Sequence, residues 1–161
     1  MSLTGSRILV PVSDSVTLRQ TVAHVVRDAL ERADEDGPVS LHFVYPLSER
    51  RTFDSQTTEG EAAETLLDAE LYVVASPVYF GGMSGTLKNL IDHIPYEEFR
   101  KTPRTAGLVM TGRDRRHEAI MDAHLRAMII YLGCDVPTTA VYAAETAFDE
   151  FTLTDETVRD R

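Results

Sequence analysis

Three stretches of this 161-residue chain combine residue types that can hold a small molecule. Ser76 to Thr86 reads SPVYFGGMSGT, placing a proline, an aromatic pair, a glycine pair and further small residues in eleven positions. Gly81 and Gly82 let backbone amides approach a flat ligand, and Tyr79 and Phe80 offer rings to cover one. Thr111 to His117 reads TGRDRRH, with Arg113, Arg115 and Arg116 forming the one basic cluster of an acidic chain. Ser13 to Thr21 reads SDSVTLRQT, in which Ser13, Ser15, Thr17 and Thr21 offer hydroxyls and Arg19 a cation.

Other chemistries lack their residues. Of His24, His42, His93, His117 and His124, the closest two are seven apart with no carboxylate motif beside them, so a metal site is not expected. The lone Cys134 has no partner for a disulfide or a zinc site, and after Gly133 at a helix end it reads as a small buried residue. No G-x-S-x-G elbow is present, which argues against a serine hydrolase. Lys88 and Asp92, four apart, read as an exposed helix pair worth at most about 0.5 kcal/mol, with ligand contact as the alternative.

The elements that must position these loops follow from hydrophobic period. Arg7 to Val12, Val39 to Tyr45, Leu71 to Ala75, Ala106 to Met110 and Val136 to Ala143 are β-branched or apolar runs of strand length. Between them, Thr17 to Ala33, the short Glu61 to Leu67, the stretch after Gly85 through Ile94, and Glu118 to Leu132 carry helical spacing. The acidic tail after Glu145 forms one last helix or frays. Strict alternation of strand and helix predicts an α/β, three-layer, doubly wound parallel sheet of five strands in a single domain over residues 1–161. Ligands of such sheets bind beyond the carboxyl ends of the strands, where the three loops fall.

Composition narrows the partners. The chain is 43% hydrophobic and long enough to bury roughly 70% of its unfolded surface. With 26 acidic against 16 basic residues, its net charge of -10 repels nucleic-acid phosphate. Only Lys88 and Lys101 are lysines, an acidic, lysine-poor balance like that of halophilic proteins from a salt-rich cytoplasm. Apolar runs such as Leu71 to Phe80 fall short of the roughly 20 residues of a membrane span, and no signal-peptide core is visible, which predicts a cytoplasmic protein without membrane partners.

The stretch VVASPVYFGGMSGTLKNLIDHI, followed by KTPRTAGLVMTG and a helix ending at LGCDV, resembles the flavodoxin-like NAD(P)H-dependent FMN reductases over about residues 69–144. That resemblance implies strand order 2-1-3-4-5 and FMN at the sheet edge. The flavin ring would lie over Ser76, Pro77, Val78, Tyr79, Phe80, Gly81, Gly82, Met83 and Ser84 and against Thr111, Gly112 and Arg113. NAD(P)H would supply hydride, and a quinone, flavin or other small molecule would receive the electrons. Because the flavin carries the chemistry, no catalytic side chain is assigned. Backbone amides of Val78 to Gly82 and of Gly112 to Arg113 would face the reduced ring, and a homodimer is implied.

Family members hold the FMN phosphate on a G-S-x-R-x-x-S loop after the first strand; here Ser13, Ser15, Thr17, Arg19 and Thr21 occupy that place. Asp14 sets a carboxylate beside the phosphate, so FMN binding weaker than in an intact loop is expected. The Arg113 to Arg116 cluster reads either as an attractor for pyridine-nucleotide phosphates or as solvated charges balancing Asp114 and Glu118.

Residues 1–67, RILVPVSDSVTLRQTVAHVVRDAL through VSLHFVYPLSERRTFDS, instead resemble the opening βαβ unit of haloarchaeal universal stress proteins. The glycine-rich nucleotide loop of the ATP-binding members is absent. The pattern reads as a chimera, with a stress-protein-like portion (1–67) joined near Asp68 to a flavin-reductase-like portion (68–161). Two other functions stand beside the oxidoreductase: a non-catalytic stress-type nucleotide module, and a flavodoxin-like scaffold with weak or no FMN binding.

Overall fold

A computed structural model describes residues 7–11, 40–44, 66–150 and 152–160, the first two segments as backbone strands. The sheet is formed by β1 (Arg7–Pro11), β2 (Ser40–Val44), β3 (Leu71–Pro77), β4 (Arg104–Gly112), β5 (Cys134–Asp135) and β6 (Val141–Ala144). All pair in parallel, in the order β2-β1-β3-β4, with β5 and β6 both beside β4. The fifth position of the sheet is therefore two short pieces, where the sequence pattern predicts one strand from Val136 to Ala143. Pro137 has no N–H for the ladder. The carbonyls of Pro137 and Thr138 instead accept the Arg126 guanidinium at 2.5 and 3.1 Å.

Helix α1 (Gly85–Asp92) starts where the Ser84 hydroxyl accepts the Leu87 N–H, and it buries Leu87, Leu90 and Ile91. It stops short of Ile94, and a separate turn, α2 (Tyr96–Phe99), then buries Phe99. Helix α3 runs as three consecutive pieces, Glu118–Ile120, a π segment Met121–Arg126, and Ala127–Tyr131. It ends as its sequence predicts, at Gly133 in the left-handed region (φ +95°). The tail does not fray: β7 (Phe148–Asp149) and β8 (Thr152–Leu153) form an antiparallel hairpin, followed by α4 (Glu156–Arg159). The expected helix at 17–33 and loop at 48–60 lie outside the described residues, as does the expected helix at 61–67 up to Leu66.

Strand alternation divides the core. Register rows Tyr72–Ala106, Val74–Leu108 and Met110–Tyr142 join the cluster containing Leu87, Leu90, Met121, Leu125 and Ile129 from α1 and α3. The alternate row Ala75–Val109–Val141 is buried on the other face, as are Ala147, Leu153 and Val158 of the tail. Continuous apolar strands are what a sheet covered on both faces requires. Cys134 is buried, and that burial lifts its thiol to about 11 although Arg104 opposes the shift, so the thiol is protonated at neutral pH.

At the amino end of β4, buried Arg104 bonds to the carbonyls of Leu67, Ala69, Phe99 and Thr102 and to the Tyr72 hydroxyl. This clamp sets the β3–β4 register, and with it the height of the two loops at the opposite end.

Candidate functional site

Those loops and the tail enclose an open cleft of about 570 Å³ beyond the carboxyl ends of β3, β4 and β6. Among the described residues its lining comprises Pro77, Val78, Tyr79, Thr111, Gly112, Arg113, Ala143, Glu145, Phe148 and Glu150. The first six were expected from sequence. The other four were missed, because the tail offered only acidic composition and no motif. The register row Pro77–Thr111–Ala143 brings the three strand ends together.

The middle loop is tied down by its own backbone. Val78 N–H donates to the Thr111 carbonyl at 2.7 Å, and Tyr79 and Gly82 exchange both N–H bonds at 2.9 Å. Phe80 (φ +46°) and Gly81 (φ +80°) form the tip, with two successive positive φ angles as in a type I′ turn. Glycine is therefore needed at 81 for its backbone conformation, while a Cβ at Gly82 would meet only the Tyr79 carbonyl at 3.8 Å. These bonds correct the expected donor set: the Val78, Tyr79 and Gly82 amides are engaged inside the loop. Those of Phe80 and Gly81 have no partner among the described residues.

Tyr79 is half exposed on the cleft wall, whereas Phe80 stands fully exposed at the tip and does not line the cleft. Ser76 and Ser84 are also not ligand-facing: Ser76 is fully buried, its hydroxyl donating to the Pro77 carbonyl at 2.9 Å and accepting the Ser84 N–H at 2.8 Å. Met83 packs against the core. A small polar residue followed by proline at a strand end thus serves to hang the loop on the sheet. Ser13, Ser15, Thr17, Arg19 and Thr21 lie outside the described residues.

The basic cluster separates into different roles. Arg116 makes a two-pronged contact with the Asp114 carboxylate, at 3.1 Å from Nε and 2.8 Å from Nη2, and Arg115 lies 3.7 Å from Asp155. Arg113 lines the cleft and has no acidic partner among the described residues. Lys88 and Asp92 form the exposed ion pair. Tyr142, buried behind the loop, donates its hydroxyl to the Asp114 carbonyl at 2.8 Å. Burial foremost, then the Asp114 and Glu118 charges, raises the Tyr142 phenol, so it remains a donor at neutral pH. Behind Gly112, Nδ1 of His117 is buried without a hydrogen-bond partner among the described residues. Among the described residues, no group of His, Cys, Asp or Glu could hold a metal, and no helix is long and apolar enough to cross a membrane.

Hydrogen bonds from the Arg116 side chain and backbone hold Asp114 at about 2, below its ordinary 3.8. A depressed carboxyl pKa adds stability above the ordinary value that is lost as pH falls toward the depressed one. The thermal-midpoint difference between wild type and Asp114→Asn is therefore expected to stay level from pH 7 to about 4 and to shrink toward pH 2. A difference that widens on acidification contradicts this assignment.

Comparison with known proteins adds to this geometry. A family model described as NADPH-dependent FMN reductase matches residues 15–149, taking in much of the stretch that resembles stress proteins. An FMN reductase (NADPH) of Pseudomonas aeruginosa is 36% identical over 93 residues, 58% of this chain and 49% of its own length. An FMN-dependent NADPH-azoreductase of Staphylococcus saprophyticus is 36% identical over 94 residues, 57% of this chain and 46% of its own. The chain spans about half the length of these curated relatives. Among solved structures, an oxidoreductase from Corynebacterium diphtheriae superposes with a TM-score of 0.75 at 19% identity, covering 98% of this chain and 91% of that one. The flavoenzyme NAD(P)H:(acceptor) oxidoreductase FerB from Paracoccus denitrificans gives 0.70 at 16% identity, covering 96% and 90%. These likenesses establish the flavodoxin-like fold.

Proposed function

Because this chain belongs to the NADPH-dependent FMN reductase family, we propose that its cleft holds FMN and that the protein is an NAD(P)H-dependent oxidoreductase acting on a small-molecule acceptor. The observation that carries the reading is the cleft itself. Its size lies within the range of cofactor pockets, about 300–1,000 Å³. Its lining joins the Tyr79 ring, the Thr111 hydroxyl and the uncommitted Arg113. The Thr111 hydroxyl and the Arg113 guanidinium are donors within that lining that suit a planar ring edged with carbonyl groups. Bound FMN would supply the redox chemistry, taking hydride from NADH or NADPH and passing electrons on.

This chain's residues supply position and electrostatics. Pro77, Val78 and Tyr79 cover one side of the ring, Thr111, Gly112 and Arg113 bound another, and Ser13, Ser15, Thr17, Arg19 and Thr21 take the phosphate. Arg113 draws in nucleotide phosphates, a role from which Arg115 and Arg116 are withdrawn by Asp155 and Asp114. In this reading residues 1–161 are one domain, since β1 pairs with β3 in a single sheet, and the protein works as a cytoplasmic homodimer. The family match from residue 15 onward weighs against a stress-type module or an empty scaffold.

Titration with FMN tests the assignment. Saturable quenching of flavin fluorescence at one FMN per chain is expected, and Tyr79→Ala weakens binding about tenfold, equivalent to about 1.4 kcal/mol. No quenching up to about 0.1 mM FMN by protein shown to be folded by circular dichroism overturns it.

A further inference from the structure

Among the described residues one buried side-chain polar atom is left without a hydrogen-bond partner, Nδ1 of His117, although an unsatisfied buried group costs stability. It converges with Tyr142 on one face of Gly112: a Cβ on that glycine would stand 3.4 Å from Nδ1 and 2.3 Å from the tyrosine hydroxyl oxygen. Gly112 does not adopt a positive φ, so this glycine leaves space open rather than bending the chain. The single proton of the hydroxyl is already given to the Asp114 carbonyl at 2.8 Å, and the same carbonyl accepts the His117 backbone N–H at 3.2 Å. What Tyr142 has left to offer is lone pairs.

We infer that His117 is a positioning residue of the cleft: its neutral imidazole carries the proton on Nδ1 and donates it to the Tyr142 hydroxyl, which in turn holds the Asp114 carbonyl. A lone pair accepts only from a donor. Of the two neutral forms of the ring, the one with the Nδ1 proton therefore satisfies the buried atom, while the other sets two acceptors against each other. A turn of the ring about χ2 closes the contact within the space that Gly112 leaves. The Asp114 carboxylate is no rival acceptor, because Arg116 engages both its oxygens. Side chain and backbone of His117 then meet on one carbonyl, the first through Tyr142, and each bond polarises the next. Held in this way is the link between β4 and the helical turn Arg115–His117, the link whose Gly112 and Arg113 line the cleft. Burial keeps the Tyr142 phenol protonated and able to pass the bond on. That the edge so held touches FMN rests on the flavin reading; the place of the proton rests on the geometry around Gly112.

Long-range proton–nitrogen NMR spectra of the ligand-free protein with isotope-labelled histidine, recorded where the rings are neutral, locate the proton directly. The His117 signal is the one lost in His117→Asn. Wild type is expected to show a protonated Nδ1, and in Tyr142→Phe the proton moves to Nε2 because its acceptor is gone. A wild-type proton on Nε2, or a tautomer indifferent to Tyr142→Phe, overturns the inference. FMN titrations test the consequence. His117→Leu is expected to weaken FMN binding about fivefold, the worth of one hydrogen bond. His117→Asn, whose amide puts an N–H donor where Nδ1 stood, stays within about twofold of wild type, and in the Tyr142→Phe background His117→Leu adds less than about twofold. Equal weakening by His117→Leu in both backgrounds overturns the route through Tyr142. Absence of FMN binding by folded wild type overturns the flavin reading instead, and leaves the relay to the spectra and to the same double-mutant cycle read by thermal unfolding.

Discussion

Arg104→Met is expected to lower the thermal midpoint by about 10 °C. The guanidinium is buried at the start of β4 and donates to the carbonyls of Leu67, Ala69, Phe99 and Thr102 and to the Tyr72 hydroxyl, with its carbon 4.3 Å from the Phe99 ring centre. No carboxylate pairs with it among the described residues, so its charge is met by the carbonyl dipoles, the Tyr72 hydroxyl and the Phe99 ring face. Methionine fills much of the same space but leaves the Leu67, Phe99 and Thr102 carbonyls without a donor among the described residues, while the Ala69 carbonyl keeps the Tyr72 hydroxyl at 2.7 Å. Each buried unsatisfied group costs about 1–3 kcal/mol, and with partial relaxation the sum is about 3–5 kcal/mol. At about 2–4 °C per kcal/mol for a chain of this size, the midpoint moves by about 10 °C. Lysine reaches fewer acceptors and recovers less than half. Thermal unfolding followed by circular dichroism at pH 7 reads this directly, and a shift under about 2 °C shows that the clamp is dispensable.

Gly112→Ala produces the second large effect, and its cause can be isolated. A Cβ at this position would stand 2.3 Å from the Tyr142 hydroxyl oxygen and 3.3 Å from the ring carbon bearing it. The overlap must be relieved by moving β4 or the ring, which breaks the hydroxyl's bond to the Asp114 carbonyl. Overpacking costs about 1–3 kcal/mol and the lost bond about 1 kcal/mol. Tyr142→Phe alone costs about 1 kcal/mol, yet it removes the atom that obstructs the alanine. The double variant is therefore expected to be more stable than the sum of the single effects by at least about 1 kcal/mol. Because Thr111 to Arg113 bound the cleft, FMN binding weakens in Gly112→Ala and recovers partly in the pair. Additive stabilities in the cycle remove the steric explanation.

Both positions show why the site was only partly legible in the linear chain. Thr111 to Arg113 and Pro77 to Tyr79 were found because glycine, proline and aromatic residues after an apolar run have local causes: a turn, a strand end, a ring at a loop. Ser76 and Ser84 satisfied the same motif but serve inward, binding one another instead of a ligand. Glu145, Phe148 and Glu150 had no motif. They reach the cleft because a hairpin folds back at the strand ends, anchored by buried Ala147 and Leu153.

The sequence by itself determined the alternation of strands and helices, the parallel sheet, the stop at Gly133 and the flavin-reductase resemblance. Each depends on residues close in the chain, where hydrophobic period, φ preference and capping act. Only the tertiary structure decided that Arg113 is the uncommitted cation of its cluster, that Val78 and Tyr79 amides are already engaged, that Gly112 abuts Tyr142, and that two tail glutamates complete the cleft. Those outcomes depend on contacts between segments distant in sequence, such as Arg115 with Asp155 and Val78 with Thr111, whose geometry no local pattern encodes.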